Sequence, residues 1–160
     1  MRAVLDVLPF DAVVTVAELV PAVIEWNRAS LAALAGHPLR DPRVRIQATD
    51  VGFTLRASPG RFDVVLLDTD NGPAAFTTAD NAGLYDNAGV AAAFAALRPS
   101  GTLAVWSAWD DRKFEQRLRF HGFLVELARV RARLRRGGPR HTIFVAHKSP
   151  ALSSSASTLD

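Results

Sequence analysis

Short β-branched apolar runs alternate with helix-patterned segments along almost the whole 160-residue chain, and that alternation constrains the fold more than any other feature. Residues 12–17 (AVVTVA), 44–48 (VRIQA), 62–67 (FDVVLL) and 102–107 (TLAVWS) have the length and residue types of strands. Between them lie helix signals. Residues 2–8 end at Pro9, and Pro21 sits in the first turn of a helix expected to reach Ala35 and stop at Gly36. Asp50 is placed to cap a short helix that ends at Ser58-Pro59-Gly60. Leu84–Leu97 and Asp110–Phe120 complete the helices, the latter with Phe114, Leu118 and Phe120 on one face. Near the end, 123–134 and 141–147 read as two strands joined at Gly137-Gly138-Pro139. Strand and helix in alternation imply an open α/β sheet, parallel in the main, with an antiparallel strand at one edge supplied by a C-terminal hairpin.

In such sheets ligands bind beyond the carboxyl ends of the strands. Three of the runs end there in an acid: VVTVAE in Glu18, RIQATD in Asp50 and VVLLD in Asp68. A carboxylate at a strand end can accept both hydrogen bonds of a ribose diol. Taken singly, Asp50 is equally well a plain helix N-cap, and Glu18 a solvated acid beside a helix start. Three in succession make a nucleoside site the better reading. After Asp68 the chain turns at once through Thr69-Asp70-Asn71-Gly72-Pro73.

Composition removes other classes. There is no cysteine, hence no disulfide, thiolate nucleophile or cysteine-based zinc site. His141 and His147 fall six apart on a strand, about 20 Å, too far to share a metal, so no metal is expected. No apolar run approaches the length of a membrane span, and a cytoplasmic location is the expectation. The net charge of +3 comes almost entirely from arginine. Arg129, Arg131, Arg133 and Arg135 alternate on a strand and share a face, which fits a grip on an anionic substrate or nucleic acid or, as the better reading, a charged edge guarding against aggregation, since they lack the interleaved aromatics that stack nucleic-acid bases.

The segments VTVAELVPAVIEWNR, DPRVRIQATDVGFTL, FDVVLLDTDNGP, LYDNAGVAAAFAALRPSGTLAVWS and RHTIFVAHK resemble the spermidine synthase-like branch of the class I S-adenosylmethionine-dependent methyltransferase fold. The resemblance runs from residue 12 to 148 and implies a Rossmann-like α/β domain over 1–148, with 149–160 a disordered tail. It implies that Glu18 holds the ribose hydroxyls of the adenosyl group and Asp50 its adenine amino group. Asp68 takes the place of the catalytic acid that orients or deprotonates an amine. Asp70 and Tyr85 are the candidate substrate-binding residues, and Trp106 or Trp109 the candidate lining of the site. The cofactor implied is S-adenosylmethionine or its decarboxylated form, the acceptor a small amine or similar molecule, and the candidate assembly a homodimer.

The resemblance also departs from the family in two places. The family's gate loop, Asp-Ser-Ser-Asp-Pro-x-Gly-Pro, is two residues longer than Asp68–Pro73. The family's first strand and glycine-rich loop have no counterpart here, so the chain is expected to be N-terminally truncated relative to the fold. The alternative function is accordingly a non-catalytic paralogue that binds a nucleoside or a partner.

Overall fold

The computed structural model describes residues 1–69, 72–73, 83–131, 138 and 140–150. The expected Gly137–Pro139 turn, Asp70, Arg133, Arg135 and the tail after 150 fall wholly or mostly outside these residues. The chain divides into two compact units, Met1–Thr54 and Leu55–Asp160.

The first unit contains α1 (Arg2–Val7), β1 (Val14–Glu18), α2 (Pro21–Arg28), a 3-10 turn (Pro38–Arg40) and β2 (Val44–Ala48), with α3 (Val51–Arg56) starting at its end. β1 and β2 pair in parallel, from Val14 opposite Val44 to Glu18 opposite Ala48. Leu5, Ile24, Ala32, Pro38 and Val44 are its buried side chains. α2 is half the expected length. It ends at Arg28 because Ala29 leaves helical geometry (φ −117°, ψ −98°), and the chain then descends through turns to Gly36. Leu31 N still donates to Trp26 O at 2.8 Å, but no regular ladder continues.

Arg43 ties this unit together. Its guanidinium donates to Leu5 O (2.9 Å), Leu8 O (3.0 Å) and Pro9 O (3.2 Å), carbonyls at and beyond the end of α1 that lack helical partners. The same fork donates to both carboxylate oxygens of Asp41, at 3.0 and 2.8 Å. The side-chain hydrogen bonds from Arg43 hold the Asp41 carboxyl well below the ordinary carboxylate range.

The second unit is a four-stranded sheet of β3 (Phe62–Leu67), β4 (Leu97–Ser107), β6 (Arg140–Lys148) and β5 (Phe123–Arg131), in that spatial order. β3 and β4 are parallel, while β4–β6 and β5–β6 are antiparallel. The antiparallel strand therefore lies one place in from the edge, and β5 forms the edge itself. β4 starts five residues earlier than the sequence suggests. Arg98-Pro99-Ser100-Gly101 does not stop the chain but forms an irregular stretch, with Phe62 opposite Leu97 and Val64 already opposite Thr102. Ser100 takes a left-handed φ of 64° to make this possible.

α4 (Asn87–Ala96) and α5 (Arg112–Phe120) cover one face of this sheet. Asp86 and Asp111 cap them, accepting from Gly89 N (2.8 Å) and Phe114 N (3.0 Å). Val65, Leu67, Leu103, Val105, Phe144 and Ala146 pack there with Val90, Ala93, Phe114 and Leu118. Phe114 meets Phe144 edge-on, with centroids 5.1 Å apart. Lys148 Nζ donates to Phe94 O and Leu97 O, both at 2.7 Å, and so satisfies carbonyls at the end of α4.

Among the described residues β1 and β3 each pair along one edge only, so the strands form two sheets and not one. Val64 and Leu66 are 54% and 53% exposed where the sequence reads as a run wholly inside the core, and no residue of β1 is fully buried.

Arg43→Gln is expected to lower the urea midpoint of the chain. Because Asp41 is depressed in the folded state, its share of that loss is complete above about pH 4, the unfolded carboxylate value, and fades as pH falls toward the folded one. Urea curves between pH 2 and 7 check this; a difference between the two proteins that grows on acidification would contradict it.

Candidate functional site

Parallel pairing places the carboxyl ends of β1 and β2 at one edge of the first unit, and Thr49 N donates to Glu18 O at 3.1 Å. Glu18 and Asp50 leave the sheet at this edge, both half-buried. The Glu18 side chain bends toward the start of α2, where Oε1 accepts from Val20 N at 2.8 Å. Its second oxygen has no partner among the described residues. Asp50 Oδ1 accepts from Phe53 N at 2.8 Å, the N-cap bond of α3. The plain structural role of Asp50 is thus realised.

Asp68 follows the last residue of β3 and is exposed. Three contacts shape the backbone just after it. Thr69 Oγ1 forms a short hydrogen bond with Tyr85 Oη, and Tyr85 Oη also donates to Thr69 O at 3.3 Å. The Tyr85 ring is only 5% exposed, edge-on to Phe114 at 5.7 Å, and its carbonyl accepts from Arg117 Nη1 at 2.6 Å. Tyr85 therefore braces Thr69 from a buried position. Gly72 sits at φ 83°, and a β-carbon there would fall 2.7 Å from Ser107 Cα. Only glycine lets this turn press against the end of β4. Ser107 is fully buried, and its Oγ donates to Trp109 O at 2.7 Å.

Beyond β4, Asp110 accepts from Arg129 Nη2 at 2.8 Å and from Thr142 Oγ1. The Arg129 hydrogen bond, followed by that of Thr142, lowers its carboxyl affinity for a proton. Arg129, read from sequence as a charged guard, is thus a partner of Asp110 on the edge strand. Trp106 lies against His141 at 4.9 Å between centroids, and Trp109 is exposed.

The structure brings Glu18 and Asp50 to one edge of the first unit and places Asp68, Thr69 and Tyr85 at the end of β3 in the second. Asp70 lies outside the described residues. Thr69, Gly72 and Ser107 were not singled out in the sequence. The turn Asn71-Gly72-Pro73 signalled a sharp bend, but its closeness to Ser107 is visible only in three dimensions. Among the described residues no group of three His, Cys, Asp or Glu could hold a metal, and no helix is long and apolar enough to cross a membrane.

No protein-family model matches the sequence, and no curated sequence is significantly similar to it. Solved structures are. Spermidine synthase from Thermotoga maritima superposes with a TM-score of 0.64 at 16% identity, over 85% of this chain and 44% of the synthase. Precorrin-6y C5,15-methyltransferase from Geobacter metallireducens gives 0.59 at 18% identity, over 86% and 67%. The 1,6-didemethyltoxoflavin N1-methyltransferase of Burkholderia thailandensis, solved with S-adenosylhomocysteine, gives 0.54 at 22% identity, over 84% and 60%. The fold is that of the class I S-adenosylmethionine-dependent methyltransferases. The chain spans less than half the length of the synthase.

Asp50→Ala is expected to cost about 1 kcal/mol through the lost N-cap, whereas Asp50→Asn keeps an acceptor and costs a few tenths at most. Urea denaturation of the two variants measures this. Equal losses would mean that the Phe53 N bond does not stabilise α3.

Proposed function

We propose that the chain is an S-adenosyl-dependent transferase. Glu18 and Asp50 hold the adenosyl group, and Asp68 receives the acceptor. The observation that carries this reading is the parallel β1–β2 pair, which delivers two carboxylates to one edge, in a fold whose solved relatives include S-adenosylmethionine-dependent enzymes. Glu18, with one oxygen anchored on Val20 N, presents the other in a fixed direction to a diol. Asp50 accepts from the adenine amino group.

The cofactor supplies an electrophilic carbon next to a sulfonium. The residues bind, orient and hold a proton. Asp68 is exposed at a strand end, and its carboxylate accepts from an amine N–H, directing the lone pair and taking up the proton released on transfer. Thr69 and Gly72, fixed by Tyr85 and Ser107, keep the backbone after Asp68 in one course. The transferred group is aminopropyl if the donor is decarboxylated S-adenosylmethionine, which makes the product a polyamine, and methyl if the donor is S-adenosylmethionine itself. The acceptor is a small amine or a similar nucleophile.

A second reading is a nucleoside-binding protein without transfer activity. It is favoured by β1 and β3 each lacking a neighbour on one edge among the described residues.

Asp68→Asn separates the two. Under the transferase reading it lowers transfer to putrescine, from either donor, by about 100-fold or more while S-adenosylhomocysteine binding stays within a factor of about two. Glu18→Gln weakens that binding by about 1–2 kcal/mol. A wild-type protein that binds S-adenosylhomocysteine and transfers to no amine supports the second reading. Unchanged affinity in Glu18→Gln rules out its assignment to the ribose.

A further inference from the structure

A surface cavity of about 200 Å³ lies wholly within the first unit, lined by Asn27, Arg28, Ala32, His37, Leu39 and Arg40. Its volume is several times the ~30 Å³ share of one water. The residues named for the adenosyl and acceptor groups take no part in it. Its lining includes two arginines, a histidine and an asparagine, with Ala32 and Leu39 as the apolar residues.

The charged groups of the lining are built in differently. Arg28 Nη1 donates to Glu25 Oε1 at 2.8 Å, which steadies the side chain and leaves most of its five donors unused. The Arg40 guanidinium makes no hydrogen bond or ion pair among the described residues. His37 is held in the left-handed region at φ 52°, which a non-glycine residue adopts only when its surroundings compel it. Its backbone is pinned there by His37 N donating to Ala32 O at 2.8 Å. The ring's Nδ1 is buried without a partner, a polar atom left unsatisfied beside the cavity.

We propose that this cavity binds a phosphate group, either as inorganic phosphate or as the end of a small phosphomonoester. Arginine forks match phosphate oxygens bidentately, and two forks with an imidazole N–H supply more donors than the two oxygens of a carboxylate use. The apolar residues Ala32 and Leu39 provide a wall for the organic part of an ester. The proposal is independent of the transferase reading, since it uses neither the adenosyl nor the acceptor residues.

The test is titration of the whole 160-residue chain, with labelled histidine followed by NMR, using inorganic phosphate and glycerol 3-phosphate at constant ionic strength against sodium chloride. The expected result is saturation with a Kd of about 1 mM or below, with the His37 ring signals tracking the curve. Arg40→Gln, and separately Arg28→Gln, weaken binding about fivefold or more, while chloride has no saturable effect. Tighter binding of glycerol 3-phosphate supports a phosphomonoester; equal binding supports inorganic phosphate. Non-saturating shifts, unmoved His37 signals, or wild type and both variants titrating alike would mean an adventitious ion only, and would overturn the proposal.

Discussion

The parallel pairing of β1 with β2 is the constraint on which the candidate site depends. Parallel strands begin together and end together, so whatever the sequence places after each one emerges at the same edge. Glu18 and Asp50 are 32 residues apart in the chain and become neighbours in this way alone, through the register that sets Glu18 opposite Ala48. The return path between them is not the single long helix that such a crossover commonly uses. It is a short helix, a series of turns and a 3-10 turn, and it is closed by Arg43. By gathering the carbonyls of Leu5, Leu8 and Pro9 and the carboxylate of Asp41, that side chain fastens the end of α1 to the start of β2.

The second unit shows the same economy with different chemistry. Its sheet is fixed from one face by α4 and α5, whose starts are capped by Asp86 and Asp111, while carbonyls at the end of α4 are taken by Lys148 from β6. Around the end of β3 the backbone is held by close contacts: the Thr69–Tyr85 hydrogen bond and the pressure of Gly72 on Ser107. An exposed carboxylate such as Asp68 gains a defined direction only if the backbone beneath it is held. Tyr85 is therefore more informative as a buried brace than as a surface group.

Most of the element order was legible in the sequence, because period-2 and period-3.6 patterns and the Pro, Gly and Asp signals agree along the chain. The failures have physical causes. α2 was read through to Ala35 since Ala and Leu favour helix, but Ala29 departs from helical geometry and the following residues settle into turns. Arg98-Pro99-Ser100-Gly101 carries the residues of a stop, yet a bulged strand can hold a proline and a left-handed serine at its irregular start. Val64 and Leu66 are as hydrophobic as Val65 and Leu67, yet the strand's alternation puts them on the opposite face of β3, where they stay exposed. The strand-end acids stood out because a carboxylate directly after an apolar run is costly without a purpose. The bonds from Glu18 to Val20 and from Asp50 to Phe53 could be anticipated only as local alternatives. The cavity around His37 and Arg40 left no trace in the sequence, since it depends on a left-handed histidine that the residue types do not announce.

Whether the two acids at the β1–β2 edge form a nucleoside site is tested most directly by calorimetric titration of the intact chain with S-adenosylhomocysteine, with adenine and ribose 5-phosphate as separate competitors. One site per chain is expected, competed by adenine and no more by ribose 5-phosphate in the Arg40→Gln background than in the wild type. No heat of binding at millimolar ligand, or binding indifferent to adenine, would contradict it.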